Sequence, residues 1–265
     1  MTTAVTLVVL SEDSGAQGWS SLHRIVRHTC DLLVDGLDWH EGVEIVPRGE
    51  VPSTVQKICA GNLWKSTRPE DLPRKGELFR YVARLLAEEP TGTQFVMFHV
   101  DGDCVWSEGS RRPSPNLRRF EDVVRTGVRR ALVERYRAPR TTAEVDAMMA
   151  RLSVIAPHYA IEAWLYQATD RAARLCVSRA CAGRHVAQYQ AWARARPALD
   201  ELGDLKRLRT EHDLHCLRGD DKNELARGFP AQAVWEAGSS YTAWVDALLR
   251  DEALLAALRH AVHSG

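Results

Sequence analysis

A chain of 265 residues with 45% hydrophobic content is long enough to bury a substantial core and fold unaided. Its 35 basic and 35 acidic residues cancel, which excludes a global field drawing it to nucleic acid or an anionic membrane, so any phosphate-binding surface must be local. No run reaches the roughly 20 apolar residues of a bilayer span, and the acidic pair that follows MTTAVTLVVL is unlike a secretory leader; a cytoplasmic protein without membrane contact is expected. Cys30, Cys59, Cys104, Cys176, Cys181 and Cys216 form no CxxC pair, which predicts reduced, mostly buried thiols.

The run AVTLVVL, Ala4 to Leu10, is continuous, apolar and β-branched, as in a central parallel strand covered on both faces. A polar turn follows, then a helix over Gly18 to Leu37 with Leu22, Ile25, Val26, Cys30, Leu33 and Val34 at helical spacing. Val43 to Val46 reads as a weaker strand, and GNLWKSTRPEDLPRKG as a polar connection. Leu78 to Glu89 is an amphipathic helix stopped by Pro90, because a residue before proline disfavours the α region. Thr93 to Val100 is the third strand, SEGSRRPSPN a basic loop, and Arg118 to Tyr136 a helix. Leu152 to Ala156 is a fourth strand, with a helix over Ala160 to Cys176. Beyond Ala182 the pattern is helical and ends in an amphipathic helix near Ser240 to His263. Alternating strands and helices predict an α/β fold with a mostly parallel sheet and helices on both faces. The expected division is a catalytic domain over 1–182 and a helical C-terminal region over 183–265 packed on it.

In an open parallel sheet the carboxyl ends of the strands share one edge, where ligands bind. Acids recur there: Glu12 after strand one, Asp101 and Asp103 after strand three, and Glu162 opening the helix after strand four. Like charges brought together raise one another's pKa and destabilise the fold unless a cation lies between them. Carboxylate and water oxygens suit Mg²⁺ or Mn²⁺. Alternate side chains of an extended segment point the same way, so Asp101 and Asp103 read as a pair of ligands hinged on Gly102. The competing reading is that each acid only caps the next helix.

Arg111 and Arg112 leave the aspartate pair in a loop able to grip a phosphate backbone, or to lie solvated. His212, His215 and Lys222 fall in a polar stretch that either reaches the mouth of the site or merely connects helices. His212, His215 and Cys216 lack the second ligand pair of a structural zinc site. There is no Gly-x-Ser-x-Gly elbow, no Walker phosphate loop and no Gly-x-Gly-x-x-Gly turn after strand one. The tryptophans sit among aliphatic residues at helical spacing, as core residues do.

Strand-Glu-helix over Leu7 to Gly15, followed much later by strand-Asp-x-Asp over Phe95 to Asp103, resembles the Toprim domain of topoisomerases, primases, recombination proteins and overcoming-lysogenization-defect nucleases. Within that superfamily the chain is most similar to small bacterial Toprim-like proteins encoded near mobile elements and anti-phage systems. In several of those, a proline-containing strand end leads into a segment like PHYAIEAWLY, Pro157 to Tyr166. The resemblance spans roughly residues 1 to 180. It implies metal binding by Asp101 and Asp103, general acid/base work or metal binding by Glu12, and a further acidic ligand at Glu162. The turn after the glutamate departs from the family's glycine-rich or basic pattern, leaving Asp13 as functional acid or spectator. The implied activity is Mg²⁺- or Mn²⁺-dependent cleavage of DNA or RNA in a defence system, under a regulatory partner such as an ATPase or by self-assembly. A non-catalytic interaction subunit and a small-nucleotide phosphohydrolase are the alternatives.

Overall fold

The computed structural model describes residues 5–13, 15–88, 93–103, 114–135, 141–158, 160–167, 169–179, 186–187, 189–190, 219–237 and 240–263. Strands β1 (Val5–Ser11), β2 (Val43–Ile45), β3 (Thr93–His99) and β4 (Leu152–Ile155) form one parallel sheet in the order β2-β1-β3-β4. Val5 pairs with Val43 on one side and Thr93 on the other, and β3 is registered on β4 through Val96 and Leu152. The expected α/β class and parallel sheet therefore hold.

Because β1 and β3 are covered on both faces, successive residues serve two cores. Val5, Leu7 and Val9 pack with Phe95 and Met97 on one face; Val8 and Leu10 pack with Val96 and Phe98 on the other. The first face is covered by α1 (Ala16–Leu33). The second is covered by α2 (Ser53–Ala60), α3 (Leu72–Ala87), α4 (Pro115–Arg119) and α5 (Thr126–Arg135). This alternation follows from handedness: the β1-to-β2 connection runs outward one way and the β2-to-β3 connection returns across β1, so right-handed crossovers put their helices on opposite faces. Helix α6 (Thr142–Ala150) leads into β4. Then come α7 (Ile161–Gln167), α8 (Thr169–Ser178), α9 (Gly219–Arg227), α10 (Ala231–Glu236), α11 (Ser240–Leu248) and α12 (Glu252–His263). Buried residues of this C-terminal part, including Trp164, Tyr241 and Leu258, belong to the same apolar cluster as β1 and α1.

Several boundaries differ from the sequence expectation. Helix α2 lies in a stretch read as connection, and its Val55, Ile58 and Cys59 turn one short face to the core. Helix α3 starts at Leu72, with proline in its first turn, where the missing N–H costs nothing. The helix expected from Arg118 begins at Pro115, capped by the Ser114 hydroxyl, and passes through a π-helical turn at Phe120–Arg125 into α5. The final helix is two: Asp251 accepts a bond from the Leu254 N–H at 3.0 Å, starting a new helix after the break. Gly127 permits close approach of α5 to α3, since a Cβ there would lie 2.4 Å from the Phe79 ring. Cys30, Cys59 and Cys176 are buried free thiols, and burial pushes the Cys30 thiol up to about 12. Among the described residues no helix is long and apolar enough to cross a membrane.

Candidate functional site

The connections reverse direction between β1 and β3, and the two strands end in register there, Ser11 opposite His99. Such a switch point leaves a crevice beyond the strand ends. Into it run Glu12 and Asp13 from β1, and Asp101, Gly102 and Asp103 from β3.

Glu12 lies against Asp101. Its Oε2 accepts the Asp101 N–H at 3.3 Å, and its Oε1 is 2.8 Å from the Lys65 ammonium. Both ends of that ion pair are buried, with side chains 5% and 12% exposed, so the attraction is little screened. Lys65 sits on the short turn Leu63–Lys65, its ammonium 5.0 Å from the ring of buried Trp64. Burial raises the Glu12 pKa above its ordinary value, while the Lys65 hydrogen bond and charge pull it back and Asp101 adds to the rise.

Beneath them is His99, fully buried on β3. The Ser11 hydroxyl accepts the Asp13 N–H at 3.0 Å and meets His99 Nδ1 at 2.9 Å. Nε2 is 3.5 Å from Asp101 Oδ1 and makes no hydrogen bond among the described residues. A carboxylate can only accept, so a neutral ring with its proton on Nε2 suits both neighbours, the Ser11 hydroxyl then donating to Nδ1. Burial lowers the His99 pKa, and the carboxylates of Asp13, Glu12 and Glu162 oppose that shift in that order. One imidazole thus feels acids from β1 and from α7.

Asp103 is arranged differently. Its φ of +49° is left-handed, so the segment is not extended there, and the alternation expected for Asp101 and Asp103 does not apply. The Asn116 amide holds the loop, donating to Asp103 Oδ2 at 2.6 Å and to the Asp101 carbonyl at 2.7 Å. Ser114 donates to the Gly102 carbonyl at 2.6 Å, and the Gly102 N–H bonds the Pro157 carbonyl at 3.0 Å. The turn is therefore held from both the α4 and β4 sides.

Glu162 opens α7 and forms an ion pair with Lys222 of α9. Helix α9 is moored on α1: Ser20 donates to the Asn223 side chain at 2.9 Å and Arg24 to its carbonyl at 2.8 Å. Of the residues singled out by sequence, Glu12 and Asp101 are in contact, Glu162 and Lys222 pair with each other, and Asp103 is bound by Asn116. Arg111, Arg112, His212 and His215 lie outside the described residues. His99, Lys65, Ser114 and Asn116 were not anticipated. Ser114-Pro115 does carry a helix-start signal, but a buried histidine within a strand gives none.

Among the described residues no group of three or more His, Cys, Asp and Glu side chains is placed to hold a metal ion. Mg²⁺ is commonly held by one or two carboxylates with substrate phosphate and water, and the oxygen-donating side chains of buried Glu12 and part-exposed Asp101 fit that demand. The ammonium beside Glu12 marks the place as one where positive charge is stabilised.

Buried His99 and half-buried His23 give the fold an acid sensitivity. Burial lowers the pKa of both, that of His23 to about 4, so they stay neutral in the folded state while the unfolded chain takes up protons near the ordinary value of 6.5. Their stabilisation is complete above about pH 6.5 and is lost as pH falls, with about 3 kcal/mol from His23 by pH 4. Urea midpoints between pH 7 and pH 4 are expected to fall, and to fall less in His23→Gln. A flat profile would contradict the assignment. Glu12, shifted upward, works against the trend.

Compared with family models, curated proteins and solved structures, the chain matches none.

Proposed function

We propose that the chain is a Toprim-like, divalent-metal-dependent nuclease that cleaves phosphodiester bonds in DNA or RNA. The observation that carries this reading is the Glu12 carboxylate held against the Asp101 backbone at the switch point of the sheet, paired with the half-buried Lys65 ammonium. Glu12 and Asp101 would hold Mg²⁺ or Mn²⁺, which when bound supplies Lewis acidity at a phosphoryl oxygen and an activated water. Glu162, whose charge reaches His99, would be the further acid. Asp103, turned to Asn116, fixes the loop in its present state and is the reserve ligand. His99 orients Asp101, and Lys65 is placed to meet a phosphate oxygen on leaving Glu12. Action in the cytoplasm as an effector of a bacterial anti-phage system, under an ATPase or other regulatory partner or by self-assembly, rests on the family resemblance alone.

The assay is nicking of plasmid and cleavage of single-stranded RNA with Mn²⁺ present. Glu12→Gln and Asp101→Asn are each expected to lower the rate at least about 100-fold, the scale of losing a metal ligand or a general base. Unchanged rates in both variants would remove the assignment.

One observation favours a second reading, in which the fold is a non-catalytic interaction subunit: Glu12 and Glu162 already have lysine partners. The two separate in a calorimetric titration, since a subunit of that kind shows no saturable Mn²⁺ uptake dependent on Glu12.

A further inference from the structure

The groove between α1 and the edge strand β2 encloses a cavity of about 510 Å³. Small-molecule sites commonly run to roughly 300–1,000 Å³. Its lining is basic: Arg24, Arg27 and Arg48 all line it, against the single acid Glu44. Among the described residues neither Arg24 nor Arg27 is in an ion pair. Two indoles share the wall. The Arg27 guanidinium lies 5.0 Å from the ring of half-buried Trp39, and that of Arg48 lies 5.6 Å from the ring of Trp19.

Two of the guanidiniums are anchored. Arg24 donates to the Asn223 carbonyl and Arg48 to Gln56 Oε1, each at 2.8 Å. A guanidinium has five N–H donors, so the bond to the Asn223 carbonyl orients the Arg24 fork without exhausting it. A third feature is His23, which lines the same cavity and whose Nε2 is buried with no hydrogen-bond partner among the described residues.

We infer that this cavity binds a nucleoside phosphate, with arginines on the phosphate and an indole against the base. Guanidinium forks match phosphate oxygens in pairs, and any nucleobase has a π-face that stacks on an indole. Trp19 is 2% exposed and belongs to the core, so the base would lie on half-buried Trp39. A purely anionic ligand leaves that indole without a role, and a purely aromatic one leaves the arginines without one. The ligand is either a free nucleotide or the end of a nucleic-acid strand. Trp19, in the cavity wall, donates its Nε1 to the Asp13 carbonyl at 2.7 Å, so the groove adjoins the acidic edge and a strand end there is within reach. The inference goes beyond the hydrolytic reading and does not need it.

The test is calorimetric titration of the full chain in EDTA, which silences any metal-dependent event at Glu12 and Asp101. The probes are the four ribonucleoside 5′-monophosphates, adenosine, inorganic phosphate and a 5′-phosphorylated single-stranded hexanucleotide. Saturable binding of a monophosphate or the hexanucleotide is expected, at least about tenfold tighter than adenosine or phosphate alone. Arg27→Ala, at an exposed position, is expected to weaken it about tenfold, the scale of one charged hydrogen bond. Glu44→Gln, which removes the only opposing charge in the lining, is expected to tighten it severalfold. A hexanucleotide bound more tightly than every monophosphate assigns the site to a strand end; the reverse order assigns it to a free nucleotide. No saturable heat with any nucleotide up to millimolar concentration, or affinities identical in both variants, overturns the inference. Loss of nicking in Glu12→Gln with nucleotide binding intact would support both sites separately.

Discussion

Trp164→Ala is expected to destabilise the protein by about 3–5 kcal/mol, the cost of emptying a fully enclosed aromatic site. The side chain has no exposed surface; its ring stacks on Trp244 at 5.2 Å and meets Tyr241 edge-on at 5.2 Å. Its Nε1 donates to the Ser240 hydroxyl at 2.7 Å, and the same hydroxyl accepts the His158 N–H at 3.2 Å. Removal therefore empties a volume shared by α7 and α11 and loosens a polar tie to the loop after β4. Domains of this kind have about 5–15 kcal/mol in total, so the loss is a large fraction. Trp164→Phe is expected to cost less, because ring packing survives while the Ser240 hydroxyl loses one partner. Urea unfolding of the two variants measures this, and a loss below about 1 kcal/mol for alanine would mean the C-terminal helices do not share the sheet's core. There is a functional consequence too: Trp164 is two residues from Glu162, and loosening α7 weakens the Glu162–Lys222 pair.

That dependence was only partly readable in advance. Val5 to Ser11 and Thr93 to His99 announce themselves because a strand buried on both faces needs an unbroken apolar run, and few other structures do. A parallel pattern does not fix strand order, so the meeting of Glu12 and Asp101 was legible only on the condition that these strands are neighbours, as the register of Ser11 on His99 makes them. Asp103 was not: its left-handed φ is set by Ser114 and Asn116, more than ten residues further on, and a pattern of period two has no access to such tertiary bonds. Helix α2 escaped notice since its eight residues bury only three, too few for a helical period to stand out. Lys65 was read as part of a polar connection, because a lysine inside a polar run looks solvated whether or not a buried carboxylate waits for it. His99 sits in a strand as a polar residue whose partners, Ser11 and Asp101, come from a neighbouring strand and a loop.

The buried ion pair makes the sharper demand on the proposed chemistry. Lys65→Gln leaves Glu12 enclosed without its cation, and breaking one partner of such a pair costs about 3–5 kcal/mol at neutral pH. The sign of the pH dependence identifies the cause. In the variant the Glu12 pKa, already raised by burial, loses the Lys65 interactions that lower it and rises further. An acid whose folded pKa is raised is favoured in its protonated form, so stability declines as pH rises from the ordinary carboxylate range, near 4.5, toward that raised value. Lys65→Gln is therefore expected to recover part of its loss on mild acidification, opposite to the histidine trend. The double variant Lys65→Gln, Glu12→Gln should recover most of it at pH 7. Metal addition completes the test: a divalent ion that takes the place of the ammonium must stabilise Lys65→Gln more than the native chain. Saturation at 100 times Kd corresponds to about 2.7 kcal/mol. Thermal melts with and without Mn²⁺ read this directly. An equal, or absent, shift in the two proteins would mean that Glu12 belongs to a structural ion pair and that the hydrolytic centre lies elsewhere.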